Sequence, residues 1–295
     1  MTRNPRRSPP IVLTTDFGSS DAYVGVMKGV ILSIHPGATI IDLTHDIGAQ
    51  NIRQGAFVLG VNHSYFPPGT IHVAVVDPGV GTDRKPIVLE TPAATFVAPD
   101  NGLLSEVLKA YMAGGSPDFK HPGIIPMPAQ LKCWELSNPR YQRLPVSNTF
   151  HGRDIFAPAA AHLSTGVRPE EFGSAVSEVT YQPLDEPIQA GNAIVGEVIF
   201  KDRFGNLITN ISGTRLTRSG LEAGTVVVEI GTRRIAGLSR TFHYLALDSS
   251  AQSDGLPLVA LVGSNGYLEV AVRNGSAAEA LGCEAGEVVS IFIEP

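Results

Sequence analysis

Acidic side chains follow two of the strands that the first half of this sequence predicts. Asp16 comes directly after the apolar run 11–15, and Asp77 comes directly after the apolar run 70–76. The carboxyl ends of neighbouring parallel strands meet at one edge of a sheet, so these carboxylates are expected to face one site. Aspartate also favours caps and turns, where its role is local hydrogen bonding. A functional site built this way would repel phosphate and would suit ribose hydroxyls, an ammonium group or a sulfonium.

Other residue patterns exclude several kinds of site. Gly79 and Gly81 form a lone GxG without the third glycine of a dinucleotide-binding loop, and the phosphate-binding pattern GxxxxGK[ST] is missing. The eight histidines include no HExxH, and Cys133 and Cys283 stand far apart, so neither a metal site nor a disulfide framework is predicted. His151 is singled out because its polar segment leads into an alanine-rich helix.

The composition is that of a globular chain with a large core. Of the 295 residues, 43% are hydrophobic and 17% are charged, which excludes a disordered chain. The formal net charge of −6 argues against nucleic acid or an anionic membrane as the main partner. No apolar run is long enough to span a bilayer, and the first apolar stretch stops at Thr14, too early for a secretory signal. The expected location is the cytoplasm.

The elements that position these residues alternate in the first half. Strands are predicted at 11–15, 39–43 and 70–76, a hairpin at 87–90 and 95–98, and a further strand near 131–136. Helices are predicted after Asp21, which is placed at the N-cap, and at 51–61 and 101–112, with a loop running into a helix across 149–166. This rhythm predicts a Rossmann-like parallel sheet covered by helices.

The second half changes to short β-rich runs separated by Gly, Asn, Ser and Asp. They cover 193–200, 207–211, 225–230, 241–247, 256–262, 268–273 and 288–293. This pattern predicts a small all-β barrel or sandwich. The expected organisation is an N-terminal α/β domain at 1–175, a proline-containing linker at 176–190 and a smaller all-β domain at 191–295.

A set of long segments resembles one enzyme family. The segments are TTDFGSSDAYVGVMKG (14–29), IIDLTHDI (40–47), VDPGVGTDR (76–84), APDNGLL (98–104), TFHGRD (149–154), FGNLITNI (204–211) and GSNGYLEVAV (263–272). They resemble the S-adenosyl-L-methionine (SAM) hydroxide adenosyltransferases, or SAM hydrolases, which are relatives of fluorinating and chlorinating enzymes. The resemblance implies an α/β domain followed by a β-barrel. It also implies a homotrimer with each active site between the N-terminal domain of one subunit and the C-terminal domain of the next.

The resemblance also implies a reaction and a set of residues. The reaction is SAM plus water giving adenosine and L-methionine, with SAM as substrate and without a cofactor or metal. The residues that match the set holding the catalytic water are Asp77, Arg84 and His151. Those that match or lie within substrate-binding motifs are Asp16 for the ribose diol, Asp21 near the methionine ammonium, Asn101, Gly152, Asp202, Phe204, Asn206, and Ser264 for the methionine carboxylate. Asn265 departs from the arginine of the halogenating relatives.

Two alternative functions stay open at this point. The first is a SAM-dependent halogenase, but those relatives carry Tyr in place of Asp77 and an aromatic residue in place of His151. The second is a SAM- or adenosine-binding sensor with negligible turnover, which product analysis distinguishes because a sensor yields no methionine. A dinucleotide oxidoreductase would need a complete glycine fingerprint.

Overall fold

The computed structural model describes residues 8–112, 122–221, 226–242 and 256–293. The chain divides into two units, Met1–Pro183 and Leu184–Pro295. The segment 176–190, predicted as a linker, contains strand residues. Its strand Glu178–Tyr181 pairs antiparallel with Gly123–Pro126, so this part of the segment belongs to the first unit. Prolines follow that strand instead of interrupting it, so they do not prevent its pairing.

A six-stranded sheet forms the centre of the first unit. Its strands are β1 Ile11–Thr15, β2 Ile40–Thr44, β3 Ile71–Val75, β4 Pro86–Glu90, β5 Thr95–Pro99 and β7 Lys132–Glu135, in the spatial order β2-β1-β3-β5-β4-β7. A separate pair is formed by β6 Gly123–Pro126 and β8 Glu178–Tyr181. Strand β1 is parallel to β2 and β3, and β3 is parallel to β5. Strand β4 is antiparallel to β5 and β7, so the predicted α/β class is confirmed with a mixed sheet.

The first unit buries both faces of its sheet. Its helices are α1 Tyr23–Ile34, α2 Ile52–Asn62, α3 Ser105–Lys109 and α4 Ala157–Ser164. Successive side chains of a strand point to opposite faces, and β3 shows this directly. Val73 and Val75 pack in one apolar cluster with Met27 of α1, whereas Ala74 packs in a second cluster with Leu59 of α2. The carboxyl end of β3 is therefore held from both sides.

Two helix predictions differ from the structure. The helix predicted at 101–112 is reduced to α3, because Gly102 has a φ of +96° and residue 101 bonds to backbone outside a helix. The N-cap predicted at Asp21 is instead Ala22, which offers no side-chain hydrogen bond. Asp21 lies one residue earlier and is exposed, so its carboxylate is not used as the cap.

The second unit is an antiparallel, nearly closed, barrel-like sheet. Its strands are β9 Ile188–Ala190, β10 Ala193–Lys201, β11 Leu207–Ser212, β12 Val226–Ile230, β13 Arg233–Ala236, β14 Leu258–Val262, β15 Tyr267–Val272 and β16 Val288–Ile293. The spatial order is β13-β12-β16-β10-β11-β15-β14, with β9 paired to β10. Near the two end strands, Ser239 N donates to Ala260 O at 2.7 Å. The predicted C-terminal all-β barrel is confirmed.

Two short helices complete the second unit, α5 Gly213–Arg218 and α6 Ala277–Leu281. Side chains that point to the inside of the sheet, such as Val228, Leu268 and Val270, form its core. The strand predicted at 241–247 lies largely outside the described residues. Within the part of the chain that the structure describes, no helix has the length and apolarity needed to cross a membrane.

Candidate active site

A buried ion pair follows β3. Arg84 Nε donates to Asp77 Oδ1 at 2.9 Å, and Arg84 Nη2 donates to Asp77 Oδ2. The Asp77 and Arg84 side chains are only 5% and 8% exposed. Two parallel charge-assisted hydrogen bonds of this kind fix the carboxylate in both position and orientation.

The GxG pattern forms the tight turn between these two residues. Gly81 has a φ of +78°, and a Cβ there would collide with the backbone carbonyl of Asn148. A side chain is therefore excluded by conformation and by space. The pattern that looked like an incomplete nucleotide loop returns the chain so that Arg84 reaches Asp77.

His151 is the third member of this cluster. Arg84 Nη2 lies 2.8 Å from His151 Nδ1. Since a guanidinium can only donate, Nδ1 must accept, and the neutral ring then carries its proton on Nε2. Burial lowers the pKa of His151, and the positive charge of Arg84 lowers it further against the opposing effects of Asp77 and Asp154. The geometry and the charges both favour a neutral imidazole with a free Nε2–H donor.

A wide helical turn sets the position of His151. Gly152–Phe156 forms a π-helical turn that leads into α4, and such turns are frequent at functional sites. Gly152 is buried, and a Cβ there would lie 3.1 Å from Met27 Sδ and 3.1 Å from the Phe150 ring. Gly152 therefore lies in a closely packed position beside His151, with little room for a side chain.

Asp154 anchors the same turn. It is fully buried, it accepts from Ser147 N at 2.9 Å, and it accepts from Arg153 Nε and Nη2 at 2.7 Å each. Burial alone would raise the pKa of Asp154, but the hydrogen bonds from Arg153 and Ser147 outweigh it and lower the pKa overall. The carboxylate therefore stays ionised and ties the turn to the preceding loop.

Arg84 has one donor atom that is not used within the cluster. Its Nη1 is buried and has no hydrogen-bond partner among the described residues. The Phe156 ring lies 5.3 Å from Arg84 Cζ and covers the guanidinium. A buried donor of this kind costs free energy unless a small polar molecule accepts from it. The cluster thus combines spare donors on Arg84 and His151 with an acceptor, Asp77.

The residues near the ends of β1 and β5 have different partners. Asp16 is half-buried, and its Oδ2 accepts from Gln50 N at 2.8 Å, while Oδ1 accepts no hydrogen bond from the described residues. Asn101 donates from Nδ2 to Val76 O at 2.9 Å and accepts from Leu103 N at 3.2 Å. The Asn101 side chain therefore holds the strand end that carries Asp77, a positioning contact that the motif did not reveal.

Three aromatic side chains next to the cluster were missed by the sequence reasoning. The rings of Phe17, Tyr23 and Phe150 lie with centroids 5.1 to 5.9 Å apart. Tyr23 begins α1 and is 48% exposed. Exposed aromatic surface of this kind suits a flat ligand. The sequence does carry a signal for this aromatic group, because Phe17 and Tyr23 lie in the same motif, 14–29, as Asp16.

The second unit carries its own set of predicted binding residues. Asp202, Phe204, Asn206 and Ser264 line one open cavity of about 930 Å³. Asp202 Oδ1 accepts from the backbone N–H groups of Phe204 and Asn206, and Oδ2 accepts from Asn206 Nδ2, each at 2.9 Å. These bonds hold the turn so that the Phe204 side chain is 76% exposed. The same cavity is lined by Glu269, which the sequence reasoning missed.

The structure therefore assembles two groups of predicted residues. Asp77, Arg84 and His151 are in direct contact in the first unit, and the four residues of the second unit share a cavity. Within the described ranges, no group of three or more His, Cys, Asp or Glu side chains is arranged to hold a metal ion. The expectation of a reaction without metal or cofactor stays a prediction.

Comparison with protein families identifies the chain. The model of the SAM hydroxide adenosyltransferase N-terminal domain matches residues 11–173, and the model of the C-terminal domain matches residues 196–290. The chain belongs to the SAM hydroxide adenosyltransferase family. The two matched regions fall within the two structural units.

Curated members of the family cover nearly the whole chain. The (R)-S-adenosyl-L-methionine hydrolase of Thermus thermophilus is 38% identical, with 96% of this chain and 99% of that protein aligned. The enzyme of the same name from Methanocaldococcus jannaschii is 34% identical, with 96% and 95% aligned. A fluorinase from Nocardia brasiliensis is more distant, at 27% identity over 99% of this chain and all of that protein.

A solved structure has the same fold as this SAM hydroxide adenosyltransferase family member. An uncharacterized conserved protein from Thermotoga maritima superposes with a TM-score of 0.80 at 34% identity, covering 96% of this chain and 99% of that one. Because the alignment covers nearly all of both chains, the similarity includes both units.

Replacing the buried anchor of the His151 turn should destabilise the protein in a pH-dependent way. Asp154→Asn is expected to lower the free energy of unfolding by about 1–3 kcal/mol at pH 7, because hydrogen bonds to a charged group are lost. The folded-state pKa of Asp154 is lowered, so its stabilisation is present above the ordinary value of 3.8 and is lost as pH falls through the lowered pKa. Urea unfolding at several pH values measures this. The exposed Asp46→Asn variant is the control, and a deficit of the same size at pH 7 and in strong acid would contradict the assignment.

Proposed function

We propose that this chain hydrolyses SAM to adenosine and L-methionine by in-line attack of water on C5′. Family membership and the (R)-S-adenosyl-L-methionine hydrolases among its relatives support this activity. The observation that carries the mechanism is the buried contact of Asp77, Arg84 and His151. It offers one water molecule an acceptor and spare donors in a site shielded from solvent.

Asp77 is the base in this proposal. Water has a pKa near 15.7, and a carboxylate is a far weaker base than hydroxide, so a carboxylate does not form a population of hydroxide from water. It accepts the proton as the C–O bond forms, and general-base assistance of this kind is worth about 10²–10⁴-fold. His151 is a poor alternative base, because its Nδ1 lone pair already accepts from Arg84 and its Nε2 carries a hydrogen. His151 and Arg84 instead donate to the water oxygen and orient it.

Placement contributes a second part of the rate. A nucleophile held about 3–3.5 Å from the reacting carbon and in line with the leaving group reacts as if its concentration were very high. The sulfonium loses its charge as methionine leaves, so transfer from water to a less polar site favours the transition state. The rigid Asp77–Arg84 pair provides this placement, since neither side chain has free rotamers while both hydrogen bonds persist.

The substrate contacts are proposed from the family motifs. We assign Asp16 to the ribose diol, and its free Oδ1 supports this role. Asp21 is assigned to the region of the methionine ammonium. Asp202, Phe204 and Asn206 are assigned to the motif that contacts methionine and adenine. Ser264 is assigned to the methionine carboxylate. Asn101 and Gly152 act through the backbone and the close packing beside Asp77 and His151.

Water is favoured over halide as the nucleophile. A halide ion carries its own negative charge, so the Asp77 carboxylate opposes its approach, and a halide has no proton for that carboxylate to accept. Water gains from the same carboxylate because it needs an acceptor for its proton. The fluorinases are also less similar to this chain than the hydrolases are.

The assembly and location are also proposals. The two groups of binding residues lie in different units, and the family resemblance implies that each active site combines them from neighbouring subunits of a homotrimer. We propose that the enzyme acts as this trimer, without metal or cofactor, on SAM as its small-molecule partner. The two buried free cysteines fit a reducing compartment, which supports a cytoplasmic location.

Asp77→Asn tests the nucleophile and its base. The variant is expected to keep its shape and to bind SAM, but its turnover should fall at least ~100-fold because an amide cannot accept the proton. Wild type in ¹⁸O-water with excess chloride should place the label on the 5′-oxygen of adenosine and form no 5′-chloroadenosine. Asp83→Asn, an exposed carboxylate of the same loop, is the matched control. Halogenated product, retention of SAM without methionine, or unimpaired Asp77→Asn turnover would refute the proposal.

The pH profile tests the state of His151. The contact with Arg84 requires the neutral ring, because a protonated Nδ1 could no longer accept from the guanidinium. The pKa of His151 is lowered from its ordinary value of 6.5. The midpoint of the acid limb of wild-type kcat/KM should therefore lie below pH 6.5. His151→Asn keeps a side-chain donor but does not titrate, so its rate should be lower and the position of its acid limb should move. An acid limb above pH 6.5, or an unchanged limb in the variant, would exclude this role.

Dilution tests the assembly. Sedimentation of wild type, run beside the SAM assay over a concentration series, should show activity that falls as the oligomer dissociates. The expected reason is that a single subunit does not provide both groups of binding residues to one substrate. A monomer with full specific activity would rule out a shared site.

A further inference from the structure

Glu269 is a buried carboxylate in an otherwise apolar part of β15. The residue is 5% exposed. In the antiparallel sheet it lies directly opposite Ile208 of β11 and Leu261 of β14, both of which are buried. Side chains of directly opposed residues share one face, so the carboxylate is flanked by aliphatic groups on both sides. Its neighbours Leu268 and Val270 point the other way, into the core.

The Glu269 carboxylate has no protein partner in the part of the chain that the structure describes. It makes no hydrogen bond and no ion pair there, and its interaction with Asp202 is repulsive. Burial raises the pKa of the Glu269 carboxyl, and the Asp202 charge raises it further. A buried, ionised carboxylate without a partner costs free energy unless a ligand of opposite charge binds to it.

The neighbouring carboxylate is not equally available. Asp202 already accepts from two backbone N–H groups and from Asn206 Nδ2. Those hydrogen bonds hold the turn that carries Phe204. Of the two carboxylates that line the cavity, Glu269 is the one whose acceptors are unused.

Glu269 lies next to the proposed subsite for the methionine carboxylate. A Cβ on Gly263 would collide with the Glu269 carboxylate, so that carboxylate rests against the backbone one residue before Ser264. Both Ser264 and Glu269 line the cavity. In an amino acid the α-ammonium and the α-carboxylate are attached to the same carbon, so a group that binds one lies close to a group that binds the other.

We propose that Glu269 is a specificity residue that accepts hydrogen bonds from the α-ammonium of the methionine part of SAM. The inference rests on the proposed function, because it takes SAM as the ligand. The ammonium offers three N–H donors to a carboxylate, whereas the sulfonium offers none. Three donors also allow a contact with Glu269 together with the one assigned above to Asp21.

Glu269→Gln measures the contribution of the charge. The variant keeps the size of the side chain and loses its negative charge, so SAM should bind about 10- to 150-fold more weakly, the range for hydrogen bonds to charged groups. The loss should appear in Kd and KM, with kcat changed much less. Glu279→Gln, an exposed glutamate of α6 outside the cavity, should bind SAM as wild type does.

A deaminated SAM analogue, in which hydrogen replaces the α-ammonium, separates this role from a structural one. Wild type should bind the analogue more weakly than SAM, and Glu269→Gln should bind it as well as wild type does. Equal loss of SAM and of the analogue in the variant would overturn the inference, as would an unchanged Kd for SAM. If the variant does not fold, wild type alone decides, because equal affinity for SAM and for the analogue would overturn the inference.

Equilibrium binding keeps this outcome separate from that of the proposed function. A wild type that binds SAM but releases no methionine would refute the hydrolase activity. The Kd values of SAM and its analogue would still decide whether Glu269 recognises the ammonium.

Discussion

The buried Asp77–Arg84 ion pair is the constraint on which the rest of the first unit depends. Two charges removed from water need close and well-aligned hydrogen bonds to each other, since the desolvation cost otherwise exceeds their attraction. Several local features meet this requirement. The turn at Gly81 returns the chain to β3, Asn101 fixes the backbone before Asp77, and Phe156 covers the guanidinium. The same constraint sets the state of His151, because Arg84 can only donate to it.

The two units treat buried carboxylates in opposite ways. In the first unit Asp77 and Asp154 are both paired with arginine, so the geometry of the cluster exists before substrate binds. In the second unit Glu269 is left without a partner among the described residues and lies close to Asp202. Pairing with arginine makes the water site rigid. The carboxylate without a protein partner can instead interact with a cationic ligand. Stability in one unit and specificity in the other thus arise from the same desolvation effect.

Local pattern predicted much of the fold, and contacts distant in sequence account for the rest. Strands β1 and β3 were found because buried parallel strands read as continuous apolar runs. The helix predicted from residue 101 was too long, since apolar spacing does not show that Asn101 bonds to Val76. Strand β6 was missed because its pairing with β8 joins distant segments. The motifs identified the cluster residues, but only the structure shows that Arg84 occupies His151 Nδ1. Glu269 had one visible signal, a single charge within an apolar strand.

The net charge of the cluster explains why it suits water. Asp77 and Arg84 cancel, and His151 is neutral, so the cluster carries no net charge beside a sulfonium that carries one positive charge. Attack by water releases a proton while the sulfonium becomes a neutral thioether, and a total charge of +1 must be conserved. When Asp77 takes the proton, the pair with Arg84 becomes positive, so the positive charge moves from the substrate into the cluster. A halide needs no such acceptor, because its own negative charge cancels the sulfonium. A carboxylate held beside an arginine is therefore useful for hydrolysis and unfavourable for halide transfer, and the placement of one acidic side chain after β3 separates the two reactions.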